Sequence, residues 1–257
     1  MKKNGWLKSM THPGDQVLEV LRFFGVASED AWRAQYAAPV QAAFRASAAF
    51  DKQAGSVGAW LRKAEIEATA LTCAPFSKPD FRAALDQLRD LTNEPSPQVF
   101  VPKLVETCAA AGVAVVLVPA PPRCPVSGAT KWLAPDKALL VLSLRHRTND
   151  HLWFTFFHEA AHLILHGKKL LFIEGNNGLD SSQEEEANRF AADLLLPPST
   201  AARLELLRAK RGFSMDDVCA FASEVGVAPG IVVGRMQKEG WLPWTHMNSL
   251  KVSYAWS

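Results

Sequence analysis

Apolar residues recur every three to four positions through Val17 to Phe24, Ser28 to Ala49, Val57 to Leu71 and Asp80 to Leu91. That period predicts helices over the first third of the chain. Trp32, Phe44, Phe50, Trp60 and Phe81 lie on the apolar faces of these segments and are expected in the core. No cluster of catalytic residue types occurs here, so this part reads as a helical platform. The stretch Thr92-Asn93-Glu94-Pro95-Ser96-Pro97 is rich in turn formers and predicts a boundary. On this reading residues 1–95 are a helical N-terminal region and residues 96–257 a second unit.

Beyond the boundary the pattern changes. Pro102 to Ala111 predicts a helix with proline in its first turn. Val113 to Val118, Ala129 to Leu133 and Ala138 to Leu144 are apolar runs of strand length. From His151 through His166 there is no Pro or Gly, and Gly167 supplies a stop, which predicts a helix. A second helix carries Phe190 and Leu194 and ends at Pro197-Pro198. Phe213 to Val225 and Gly230 to Lys238 read as C-terminal helices, with Trp241, Trp244 and Trp256 anchoring the tail. A small sheet followed by helices is an α+β arrangement.

The helix over 151–166 holds the candidate chemistry. At about 100° per residue, His151, Thr155, His158, His162 and His166 form one polar stripe with Glu159 at its edge. Nearly every other position is apolar, so the helix is expected to be buried except for one stripe facing a cleft. The run His158-Glu159-Ala160-Ala161-His162 places two imidazoles four residues apart on one face, where they can bind one metal ion. Glu159 stands where a carboxylate can take a proton from water at that metal. A catalytic zinc site needs a third protein ligand and keeps its fourth position open. Glu184, Glu185 and Glu186 supply candidates, and spacing alone does not choose among them. Glu184, Asn188 and Ala191 share a helical face, so Asn188 can orient a ligand histidine while Ala191 lets the helices approach.

Composition narrows the class without deciding it. The net charge of +2 with 21% charged residues is too balanced to argue for nucleic acid or an anionic membrane. No apolar run approaches the ~20 residues that span a bilayer, and no signal-peptide stretch opens the chain. Cys73, Cys108, Cys124 and Cys219 show no C-x-x-C spacing, which excludes a sequence-evident disulfide framework. A cytoplasmic protein is expected.

The segment Phe154 to His166, followed by EEEANRFAADLLLP, resembles the ImmA/IrrE family of metallopeptidases. GVAVVLVPAPP, SGATKWL and KALLVLSLRHRTNDHLWFTFFHE are similar to that family's strand-rich run, and PGIVVGRMQKEGWLP is similar to its C-terminal segment. The resemblance implies a zincin-like fold and names Glu184 as third metal ligand beside His158 and His162. It implies a site-specific endopeptidase holding Zn²⁺, with Mn²⁺ as the alternative. Its substrate is then a partner repressor of XRE type, under stress, mobile-element or toxin–antitoxin control. FFGV, FRAS and GAWLRKAE resemble a subgroup that carries an N-terminal helix-turn-helix. The chain starts near where such a domain would end, so direct nucleic-acid binding is not expected from this chain alone. The competing class is a non-catalytic, antitoxin-like interaction module with a structural or vestigial metal. An intact Glu159 favours catalysis, since structural zinc needs no base.

Two further residues enter as candidates. His166, one turn past His162, is the nearest donor for the oxyanion, with Arg145, His146 and Lys131 behind it. Cys124, in Pro122-Arg123-Cys124-Pro125, is a candidate regulatory thiol that would block the open metal position.

Overall fold

The computed structural model describes residues 1–40, 48–143, 145–167, 171–173, 181–210 and 212–255; side chains are described at those positions except 48–53, 171–173 and 181. Helix α1 (Pro13–Phe24) begins on proline, with the His12 ring accepting from the Gly14 N–H, and ends at Gly25. Helices α2 (Glu29–Trp32) and α3 (Ala48–Thr69) follow, with a wide five-residue turn at Arg33–Ala37 after α2. Next come α4 (Lys78–Leu88) and α5 (Pro97–Ala110). Pro102 lies inside α5, not in its first turn: the helix starts at Pro97, so the expectation of a start at Pro102 is corrected. Strands β1 (Val113–Leu117), β2 (Gly128–Ala134) and β3 (Lys137–Leu142) lead into α6 (Asn149–Leu165). After β4 (Leu171–Ile173) come α7 (Ser181–Leu195), α8 (Ala201–Ala209), α9 (Met215–Val225) and α10 (Pro229–Lys238).

The four strands form one mixed sheet in the order β1-β3-β2-β4. β1 runs parallel to β3, while β2 is antiparallel to both β3 and β4. Strand side chains alternate between two faces. Val113, Val115, Ala138, Leu140 and Leu142 join the core around α6. Ala114, Val116, Ala129, Leu139 and Val141 join Val57, Trp60, Leu61 and Ala64 of α3 on the other face. The sheet is therefore covered on both sides, which explains why β1 and β3 read as unbroken apolar runs. Trp60 Nε1 donates to the Val118 carbonyl at 2.9 Å, and Lys131 pairs with Glu65 at 2.6 Å, tying α3 to the sheet.

Around α6 the core includes Phe100, Trp153, Phe156 and Phe157, all at most 1% exposed. Truncating one such aromatic costs about 3–5 kcal/mol. Phe81, Leu85 and Leu88 of α4 belong to this same cluster, so apolar packing is continuous through the turn-rich stretch at 92–97. Trp32 is half-buried against Phe24, while Trp60 and Phe81 are fully buried. The side chains of Phe44 and Phe50, Leu144 at the expected end of the third strand, and Trp256 lie outside the described residues. Trp241 is half-buried with the Arg208 guanidinium 4.7 Å from its ring centre, whereas Trp244 is 57% exposed, with Lys251 Nζ 5.9 Å from its ring centre and its carbonyl accepting from Asn248 Nδ2 at 2.8 Å. Among the described residues no single helix is long and apolar enough to cross a membrane.

The start of α6 is held by residues far away in sequence. Asn149 N donates to the Val252 carbonyl at 2.9 Å, and Lys251 Nζ lies 2.6 Å from Asp150 Oδ2, with both side chains under 10% exposed. A Cβ on Gly234 of α10 would fall 2.7 Å from Asp150 Oδ2, so only glycine permits this approach.

Candidate metal centre

Helix α6 positions His158, Glu159 and His162 because its other faces are apolar and enclosed; all three are at most 2% exposed. Helix α7 crosses it with Ala187 and Ala191 fully buried. These small residues let the backbones approach closely enough for Glu184 to reach the histidines. His158 Nε2 and His162 Nε2 are 3.1 Å apart. Glu184 Oε2 is 3.3 Å from His158 Nε2, and Glu184 Oε1 is 3.4 Å from His162 Nε2. The structure thus brings these three residues into one cluster of metal-ligating side chains.

The donor set can be tested against a metal. Zinc–nitrogen and zinc–oxygen bonds of ~2.0–2.1 Å in a tetrahedron give ligand–ligand edges of roughly 3.3 Å. The two facing nitrogens are 3.1 Å apart, and each lies near that length from a different Glu184 oxygen, His158 Nε2 at 3.3 Å from Oε2 and His162 Nε2 at 3.4 Å from Oε1. Charge agrees too. Burial by itself raises the Glu184 carboxyl, but the adjoining His158 and His162 rings outweigh that and bring it down to about 2. Burial lowers His162 below its ordinary value, outweighing the neighbouring carboxylate. A carboxylate beside a neutral imidazole is the state that binds a metal. The residues fit a divalent cation.

The outer ring nitrogens are also engaged. His158 Nδ1 lies 3.0 Å from Asn188 Oδ1, as the shared helical face of Glu184 and Asn188 predicts. An amide oxygen only accepts, so Nδ1 donates to Asn188 and Nε2 is the nitrogen turned inward to the cluster. His162 Nδ1 lies 2.9 Å from His166 Nδ1, and His166 Nε2 lies 3.1 Å from Glu186 Oε2. The carboxylate accepts from His166 Nε2, which leaves His166 Nδ1 to accept from His162 Nδ1. This hydrogen-bonded chain again frees the inward Nε2.

That geometry places His166 against the outer nitrogen of His162, where it supports this ligand ring. Alignment on a stripe did not reveal this, because His166 is the C-cap of α6 and has left helical geometry. Glu186, one of the three candidate third ligands, instead completes this chain through His166, a role the sequence reading did not foresee.

The other candidate donors are elsewhere. Lys131 is on the α3 face of the sheet with Glu65, and the Arg145 guanidinium bonds the Pro125 carbonyl. His146 stacks on His151 with ring centres 4.5 Å apart, on the wall of a cavity beside the cluster. Cys124 is packed with Val118, Val126 and Val141 in the core on the α3 face, opposite α6. Burial pushes its thiol up to about 11. The structure does not bring Cys124 to the metal cluster, which removes the basis for thiol gating.

Gly128, the first residue of β2, faces Glu159. A Cβ there would lie 2.6 Å from Thr155 Cγ2 and 2.7 Å from Glu159 Cγ. The strand edge therefore walls the general-base candidate at closest backbone approach, a position sequence reading did not single out.

No curated protein significantly matches the chain. Residues 128–236, from Gly128 to Met236, match the model of the IrrE N-terminal-like domain, Peptidase M78. That segment contains His158, Glu159, His162 and Glu184, and the family suggests a metallopeptidase. Residues 128–236 thus form an IrrE N-terminal-like domain of the peptidase M78 family, which supports assignment of the chain to the ImmA/IrrE family.

Proposed function

We propose that the chain is a metal-dependent endopeptidase that cuts a partner transcriptional repressor at a defined site and so relieves repression. The observation that carries the peptidase reading is the cluster in which His158 Nε2 and His162 Nε2 stand 3.1 Å apart, each within 3.4 Å of a Glu184 oxygen, with the buried Glu159 carboxylate beside His158 in sequence. Two imidazoles and one carboxylate suit zinc, with manganese as the alternative where supply favours it. Once bound, such a metal polarises the scissile carbonyl and makes water acidic enough to react near neutral pH. Glu159 takes the proton of the attacking water and passes it to the leaving amine. Asn188 holds His158, and His166 with Glu186 holds His162, so both ligand rings are fixed before substrate arrives. The substrate class is supported by the resemblance to ImmA/IrrE proteins.

The test has two parts. Elemental analysis should find one zinc per chain in wild type and in Glu159→Gln, and none in Glu184→Ala. Incubation with candidate repressors, read by mass spectrometry, should give one cut with wild type and none with Glu159→Gln. A wild type that takes up no zinc or manganese would sink the reading.

A further inference from the structure

We propose that the cavity beside the metal cluster is the site for substrate side chains, and that it selects a bulky apolar residue neighboured by an acidic one. The proposal rests on the peptidase reading and names its substrate class.

Position is the first argument. Phe154 lies one turn before His158 on α6, and Asn188 lies one turn after Glu184 on α7; both line this cavity of about 520 Å³. The cavity therefore adjoins the cluster through Asn188, whose Oδ1 is 3.0 Å from His158 Nδ1. An extended peptide advances ~3.3 Å per residue. A substrate whose carbonyl meets the metal puts the side chain one or two residues along into the cavity. Its volume is typical of a ligand pocket and exceeds one side chain.

Lining chemistry is the second. Phe154, Leu195, Leu196 and Ile231 give an apolar wall, and the exposed face of Trp244 extends it. Each acid on the wall is already matched: Asp150 by Lys251 at 2.6 Å, and Glu239 by Arg235 at 3.0 Å. Two cations, Arg189 and Lys238, line the same cavity, are exposed, and meet no carboxylate among the described residues. Burial lowers both His146 and His151, so their stacked rings add little positive charge at neutral pH. The uncancelled charge is positive and comes from Arg189 and Lys238. It attracts an acidic neighbour of the apolar anchor and repels a basic one.

The test is to pan a random short-peptide library on zinc-loaded Glu159→Gln protein, and on the same protein carrying Arg189→Glu and Lys238→Glu. Both added changes lie on exposed side chains, and zinc content verifies the fold. Peptides retained by the first protein should carry a large apolar residue with Asp or Glu one or two positions away. The charge-reversed protein should bind those acidic peptides roughly tenfold more weakly. Indistinguishable selections from the two proteins, or no peptide retained by either, would overturn the proposal. Retained peptides are then given to wild type. Cleavage supports both readings; selective binding with no cleavage keeps the cavity assignment and removes the peptidase reading.

Discussion

Gly128 and Glu159 touch so closely that a single methyl group at position 128 would lie 2.7 Å from Glu159 Cγ. The first residue of β2 and the carboxylate next to the metal ligands form one packing unit. Gly128→Ala forces either the strand or the helix to move. We expect a loss of about 1–3 kcal/mol, typical of overpacking, with a lower Tm. Peptidase activity should fall further than stability explains, because Glu159 moves with it. Thermal unfolding and initial rates on one preparation check both; an unchanged Tm and rate would refute the contact.

The pairing of His162 with His166, and of His166 with Glu186, makes a separate prediction. Hydrogen bonds behind a metal ligand typically matter about 10–100-fold in affinity. His166→Ala should weaken zinc binding by that order, and Glu186→Gln by less, since Glu186 is largely exposed. Glu185→Gln should change nothing. Competition with a chromophoric chelator gives the three affinities. Equal values for Glu186→Gln and Glu185→Gln would remove Glu186 from the chain.

Cys124→Ser should leave metal content and activity unchanged, because the thiol lies in the core on the far side of the sheet from the cluster. Its pKa is raised from an ordinary 9.0 to about 11 by burial. The folded state thus holds this proton more tightly than the unfolded chain. The contribution to stability is complete below pH ~9 and is lost as pH rises through about 11. Alkylation of the native protein at pH 8 should accordingly spare Cys124, and peptide mapping would show it.

Lys251→Met tests the clamp on α6. The change leaves Asp150, 7% exposed, without its partner at 2.6 Å. Stranding a buried charge costs about 3–5 kcal/mol. Urea unfolding should show a midpoint shift of that order, and Asp150→Asn added to Lys251→Met should recover part of it. A loss below ~1 kcal/mol would mean that solvent reaches the pair.

The parts legible in the sequence were those with local signatures. The helix over 149–165 announced itself by uninterrupted apolar faces and a glycine stop, and α7 by its alanine face and proline end. β1, β2 and β3 were visible as short apolar runs. Other parts had no local signal. β4 is three residues long and pairs only with β2. Helix α8 carries an exposed Leu206 and little amphipathic pattern, so periodicity passed over it. Glu186 was one of three adjacent acids that spacing could not tell apart until α7 was laid across α6. The tie between Asp150 and Lys251 spans 101 positions, beyond the reach of any spacing rule.

That tie has a consequence in the order of synthesis. Residues 251–254 leave the ribosome more than sixty positions after Glu184, yet they fix the helix that carries His158 and His162. A nascent chain that already contains the whole ligand set still has a loose α6 start and an Asp150 without its cation. Assembly of the centre is therefore expected to await residues 251–254, and chains that stop before them are expected to hold metal poorly and to be cut readily by proteases.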